Sequence, residues 1–192
     1  MHRYLRSLSR HSFNLNDVGA ELPSFLQSDA LAEQLSFLPD LATLEWRIAR
    51  AFHALESAPF DVQSLAAWTT DDFAAARLSF QPSVSVVRSR WPIVRLWEAR
   101  ETPIEEIDLD LRDRPEVALV HRRGLDVACH AIDAAEADCL EQLLAGESIG
   151  AAAAGIDDRA SAGAVGEWFA RWSTLGLVTS CERSGPALAP PR

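Results

Sequence analysis

Apolar and polar positions in the second half of the chain change period partway along. Ile107-Asp108-Leu109-Asp110-Leu111 alternates apolar and acidic residues, the period-two pattern of a strand with one buried face. Arg112-Asp113-Arg114-Pro115 reads as a turn, because proline fixes φ and lacks a donor. Val117 to Arg122 is a second β-rich run, and Arg123-Gly124 a tight hairpin turn. Leu125 to Ile132 returns as a third strand, with Val127, Cys129 and Ala131 on one face and Ala128, His130 and Ile132 on the other. The period then becomes helical. Asp133 is an N-cap and Glu136, three residues on, completes a capping-box-like start to a helix carrying Leu140, Leu143 and Leu144. Gly146 ends it, and Ser148 caps a short helix from Ile149 to Ala154 that stops at Gly155. A third helix runs from Ala160 to Leu175, with Val165, Trp168, Phe169 and Trp172 on one face and Gly176 just past its end. Leu177-Val178 returns apolar.

The first half is mostly helical in pattern. A short amphipathic helix spans Asp17 to Gln27 with an interruption at Pro23. The longest helix, Asp40 to Glu56, carries an apolar stripe of Leu41, Leu44, Ile48, Ala51, Phe52 and Leu55. Short helices follow at Asp61 to Trp68 and Asp71 to Ala76, then an extended segment from Leu78 to Val87. Pro92 opens a last helix through Leu96, Trp97 and Arg100, and Thr102-Pro103 marks a boundary. The expected fold class is therefore α+β. An N-terminal helical domain, 1–103, precedes a C-terminal winged-helix-like module, 104–184, of a three-stranded antiparallel sheet plus three helices. The Pro-rich 185–192 is expected to be a disordered tail.

Charge separates the functions such a module could have. All 18 basic residues are arginine. Residues 1–103 carry 10 Arg against 12 Asp and Glu, whereas residues 104–192 carry 8 Arg against 16, a net of −8. DNA affinity comes largely from neutralising phosphates, so this acidity disfavours nucleic acid and favours a basic peptide. The third helix, where a winged helix reads bases, offers only Arg159 and Arg171, with Asp157, Asp158 and Glu167 nearby. No apolar run approaches a membrane span, and the N-terminus has no signal-peptide h-region. Three cysteines, Cys129, Cys139 and Cys181, are an odd count without paired spacing, which suggests reduced thiols and a cytoplasmic location.

Two segments of the first half resemble a known family. Phe37-Leu38-Pro39-Asp40-Leu41-Ala42-Thr43-Leu44-Glu45-Trp46 with Ala51-Phe52-His53-Ala54 is one. Gln81-Pro82-Ser83-Val84 with Ser89-Arg90-Trp91-Pro92-Ile93-Val94 and Leu96-Trp97 is the other. Over roughly Asn14 to Trp97 the chain is similar to a family labelled as DNA-binding, which includes the partner subunits of peptide-modifying iron oxygenases of the methanobactin-biosynthesis C-subunit type. Many relatives carry a further helical segment before the equivalent of Asn14, so this chain is either a compact lineage or trimmed at its start. The second half separately resembles a peptide-recognition element of the pyrroloquinoline-biosynthesis D-protein kind. The residues that carry this are Leu143-Leu144-Ala145-Gly146-Glu147-Ser148-Ile149, then Trp168-Phe169 through Leu175-Gly176-Leu177-Val178.

These resemblances imply a non-catalytic accessory subunit. Its partner would be a barrel-type, multinuclear non-haem iron oxygenase that holds the iron and oxidises cysteine in a ribosomally made precursor peptide, to an oxazolone and thioamide in methanobactin-like biosynthesis. This chain would carry no cofactor of its own and would bind a basic leader by adding it as a strand to a sheet edge. By analogy with recognition elements the edge is the third strand, Asp126, Val127, Ala128, Cys129, His130, Ala131 and Ile132, and the groove wall is Val165, Trp168, Phe169 and Trp172. The same aromatic stripe also reads as core, since helical aromatic stripes usually pack inward. The alternative function is a winged-helix transcription regulator.

Catalysis or metal binding on the chain itself finds little support. Cys129 and His130 point to opposite faces of a strand, which argues against joint ligation, although His121 on the neighbouring strand could pair with one of them. No phosphate-binding glycine loop, Ser-His-Asp signature or zinc spacing is present. Trp46, Trp91 and Trp97 exceed what a small helical core needs and suggest the first half as the surface that meets the catalytic partner.

Overall fold

Local sequence sets most of the helix starts. In the computed structural model, which describes residues 2–7, 18–107, 111–112, 114–156 and 162–183, helix α1 spans His2–Ser7. Helix α2, Leu22–Gln27, has Pro23 in its first turn, where a missing N–H costs nothing. The proline thus opens this helix; it does not interrupt it. The Asp29 carboxylate accepts from the Leu31 N–H at 3.0 Å and starts α3, Ala30–Gln34. Helix α4, Leu38–His53, again has proline in its first turn, and it stops before Glu56. The region expected as a helix from Asp61 forms only a 3₁₀ turn, Val62–Leu65. A capping box between Thr69 and Asp72 launches α5, Thr70–Ala75.

The extended segment then divides into two strands, β1 (Ala76–Phe80) and β2 (Ser85–Ser89), which enter different sheets. The turn between them is pinned by Gln81. Its buried side chain bonds both the N–H and the C=O of Ser57, at 2.9 and 2.7 Å, and its own N–H donates to Leu177 O at 2.7 Å. Helix α6, Ile93–Glu98, follows Pro92, and 3₁₀ turns cover Ala99–Glu101 and Ile104–Glu106. Strands β3 (Glu116–Arg123) and β4 (Asp126–Ile132) make a hairpin whose two turn residues are Gly124 and Leu125. Gly124 has φ +61° at the first central position, where a type II′ turn needs glycine. Helices α7 (Ala134–Leu144), α8 (Ile149–Ala154) and α9 (Ala162–Thr174) come next, and the chain returns as β5, Val178–Arg183.

The fold is mixed α and β, with two small antiparallel sheets ordered β2-β3-β4 and β1-β5. Ser85–Ser89, not 107–111, supplies the strand beside β3. Ile107 and Leu111 lie in no strand, and 108–110 fall outside the described residues. The reason is burial on two faces. Val87 sits in the core on one side of the sheet while Val86 packs against the core on the other, whereas the sequence 107–111 would supply only acids to one face of a strand. Each sheet therefore joins strands from before and after residue 103.

Helices α4 and α6 cover one face of the larger sheet, burying Leu44, Ala51, Ile93 and Val94 against Val87, Ala118 and Val120. On the other face Leu119 joins a larger core with Leu140, Leu143, Trp172, Leu177 and Val178. Helices α5 and α8 meet at Gly150, where an added Cβ would lie 2.9 Å from the Ala74 carbonyl oxygen and 3.3 Å from its Cβ. Gly150→Ala therefore loses about 1–2 kcal/mol despite its gain in helix propensity, read as a lower urea midpoint. A midpoint at or above the parent's would show that α8 can retreat from α5. Among the described residues no helix is long and apolar enough to cross a membrane.

Candidate functional site

Strand β4 spans Asp126–Ile132 and ends the three-stranded sheet; among the described residues no strand lies beyond it. Natural sheets usually shield such an edge with lysine, proline, a bulge or brevity. β4 has seven residues in continuous register with β3, no proline, and only Asp126 charged, at the hairpin end. The other outer strands among the described residues are shorter and more protected: β1 has five residues and its Arg77 bridges to Ser148. β2 has five residues and presents Arg88, which the carboxylates of Asp138 and Glu141 clamp at 2.6 and 2.8 Å. β5 begins with its Val178 carbonyl bonded to the Phe60 N–H at 3.0 Å and ends in Glu182 and Arg183. A two-residue turn makes Arg123 and Asp126 the closing hydrogen-bonded pair of the hairpin. Alternation then aims the N–H groups of Val127, Cys129 and Ala131 away from β3.

The two faces of β4 differ. Val127 and Cys129 pack with Ile48, Leu96, Trp91 and Trp97 against the core beneath α4 and α6. His130 faces the other way, its ring 5.1 Å from that of His121 in an edge contact. His121 is 3% exposed, and neither of its ring nitrogens has a hydrogen-bond partner among the described residues. Burial first, then the neighbouring His130, pushes the His121 pKa down to about 4; burial and then Arg171 lower that of His130. Both imidazoles are therefore neutral at physiological pH. Cys129 points away from this pair, and no group of three His, Cys, Asp or Glu able to hold a metal occurs among the described residues.

The expected groove wall on α9 is placed differently. Val165, Phe169 and Trp172 are buried in the main core and Trp168 packs against it half-buried, so the first three are committed to packing and are not presented to a ligand. Strand β4 instead has α4 and α6 beside it. The α4 stripe divides likewise. Leu44 and Ala51 are buried, but Phe52 is 52% exposed and Leu55, past the helix end, 84%. The hairpin reaches that same end of α4. Arg122 donates to the Ala54 carbonyl at 2.5 Å, and the Gly124 N–H to Glu56 Oε1 at 3.2 Å.

Sequence reasoning missed Glu136. Asp133 does sit at the N-cap of α7, but its side chain makes no cap bond. Glu136 is 1% exposed and points into the protein, where it accepts from Trp172 Nε1 at 2.8 Å and pairs with the Arg171 guanidinium. Its spacing from Asp133 mimics a capping box; a carboxylate three residues past a cap has no local mark of burial.

The thiols are poor nucleophiles at neutral pH. Burial pushes Cys129 up to about 12, aided by the Glu98 and Glu116 charges, and Cys139 and Cys181 up to about 11. No protein-family model matches the chain, and no curated protein aligns with it significantly.

Proposed function

We propose that this chain is an accessory subunit that captures the leader of a ribosomally made precursor peptide as an added strand on β4. In this reading a separate barrel-type iron oxygenase holds the metal and modifies a peptidyl cysteine, as in methanobactin-like biosynthesis, and this chain has no catalytic role. The resemblance over Asn14 to Trp97 suggests the partner. The observation that carries the capture step is the open edge of β4, the longest and least shielded outer strand, with three N–H groups aimed outward. The acidity of residues 104–192 suits a basic leader. Half-buried Trp91 lies on the first-half face and is a candidate for the contact with the oxygenase.

The finer fold proposal is a winged-helix-like unit. Helices α7, α8 and α9 lead into β5, β5 pairs with β1, and β1 also bridges to Ser148 through Arg77. The strand next to β5 would then come from earlier in the chain. That layout favours the second reading, a DNA-binding regulator, but the Arg171 side chain of α9 is already engaged by Glu136.

Co-expression with a candidate oxygenase and size-exclusion chromatography test the first reading, which expects co-elution. Elution of the chain alone, with duplex DNA binding that weakens steeply with salt, would establish the second. Val127→Pro removes an outward donor and should weaken leader binding tenfold or more while leaving co-elution intact. Ala128→Pro breaks the β3 ladder and lowers stability. Equal leader affinity for Val127→Pro and the parent would place the leader elsewhere.

A further inference from the structure

We propose, building on strand addition at β4, that Trp97, Glu98 and Arg100 form the specificity pocket for a cationic side chain of the incoming strand. Arg100 is its internal stand-in. The guanidinium of Arg100 lies 3.4 Å over the Trp97 ring, donates to the Trp97 carbonyl at 2.7 Å, and pairs with Glu101 at 2.8 Å. An indole face flanked by carboxylates is a site for a cation. Here the protein's own exposed arginine occupies it.

The pocket adjoins the open edge. Trp97 packs in the same cluster as Val127 and Cys129, and Glu98, Glu116 and Arg100 are the charges acting on the Cys129 sulfur. Glu116 is already engaged, its Oε2 accepting from the Val94 N–H at 2.8 Å, which leaves the exposed Glu98, of the two carboxylates acting on Cys129, as the one unengaged among the described residues. From Glu98 to Glu106 the chain carries Glu98, Glu101, Glu105 and Glu106 against Arg100 alone. That stretch of chain therefore holds more negative charge than its one arginine neutralises. A lysine or arginine on the added strand, on the side facing α6, displaces Arg100 from the aromatic face and gains the surplus carboxylate. The side facing α9 offers neutral His130 and an Arg171 already paired with Glu136. The two sides of the strand thus ask for different residues, and that difference sets its register.

Fluorescein-labelled decapeptides of alternating threonine and lysine, and of alternating threonine and glutamate, report the preference by anisotropy on the full chain. The lysine peptide should bind and the glutamate peptide should not. Glu98→Gln and Trp97→Leu should each weaken the lysine peptide about three- to tenfold, with Trp97→Phe between parent and leucine and serving as the check on folding. Arg100→Ala should tighten binding by a similar factor by vacating the indole. Arg95→Ala removes the same charge from the exposed side of α6 and should change affinity less than twofold. The gain from Arg100→Ala should vanish in the Trp97→Leu background.

If Val127→Pro weakens the lysine peptide but the Trp97, Glu98 and Arg100 variants bind as the parent does, strand addition stands and the pocket is overturned. If those variants move affinity and Val127→Pro does not, the pocket stands and strand addition fails. Equal binding of both peptides, or tightening by Arg95→Ala equal to that by Arg100→Ala, reduces the effect to net charge and overturns the pocket.

Discussion

Trp172→Ala should cost about 4 kcal/mol, close to the whole stability of a marginal domain. The side chain is fully buried in α9, among Leu140, Leu143 and Leu177, with its ring 6.0 Å from that of Phe80. Truncation opens a cavity and removes the Nε1 donor that reaches Glu136 at 2.8 Å. The carboxylate then keeps only Arg171 in a site with little access to water. Trp172→Phe helps to separate the two effects, since it loses the donor while retaining most of the volume, for about 1–2 kcal/mol. Trp168→Ala, at a half-buried position, should cost less than half as much as Trp172→Ala. Urea midpoints followed by circular dichroism give the ranking. A Trp168 loss equal to that of Trp172 would mean that α9 turns a different face to the core.

Acid should weaken the fold well above the range in which carboxylates titrate, because of His121. Its ring is buried with both nitrogens unpartnered among the described residues, and the adjacent ring is another histidine, so no carboxylate there welcomes a proton. The folded pKa of about 4 lies below the ordinary 6.5. Above pH 6.5 both folded and unfolded states are neutral at this residue and its contribution is intact. Between 6.5 and 4 the unfolded chain takes up a proton that the folded one refuses, and stability falls with pH. The loss is about 2 kcal/mol by pH 5 and about 3 kcal/mol at pH 4, and the slope from this residue dies away over roughly the next pH unit as the folded state also takes up its proton. His130, lowered for similar reasons, acts in the same direction. His121→Phe fills the same space without nitrogens to charge or satisfy. It should leave stability at pH 7.5 within about 1 kcal/mol and flatten the profile between pH 7.5 and 5. An unchanged slope in the phenylalanine variant would move the acid sensitivity to other groups.

What was legible in the sequence followed the range of the interaction. The β3–β4 hairpin needs only alternation and a glycine with positive φ, and both are local; strand β4 begins one residue from where the pattern places it. The cap at Ser148 and the helix opened by Pro92 are likewise local chemistry. Pro23 is local too, but the pattern reads its place in a first turn as a break. The partner of β3 was not legible. Ile107 to Leu111 alternates more cleanly than Ser85 to Ser89, but alternation suits a strand with one wet face, and this position has a core on both. β5 was visible only as Leu177-Val178, because its remaining residues are polar and it becomes a strand by pairing with distant β1. The α9 stripe was legible as a face, but periodicity does not say what a face meets. It meets the main core, and the neighbours of β4 come from α4 and α6.

That both sheets join strands from before and after residue 103 governs how the chain folds during synthesis. β1 emerges from the ribosome roughly 100 residues before β5, which at a typical rate is a wait of about 5–20 s. β2 waits for β3 over a shorter interval. For that time β1 and β2, separated by one tight turn, are nascent strands with no partner, and each brings apolar residues destined for burial. Long-range pairings of this kind slow folding and favour capture of the nascent chain by chaperones or by another copy of itself. A release of the chain before Val178 would leave β1 permanently unpaired.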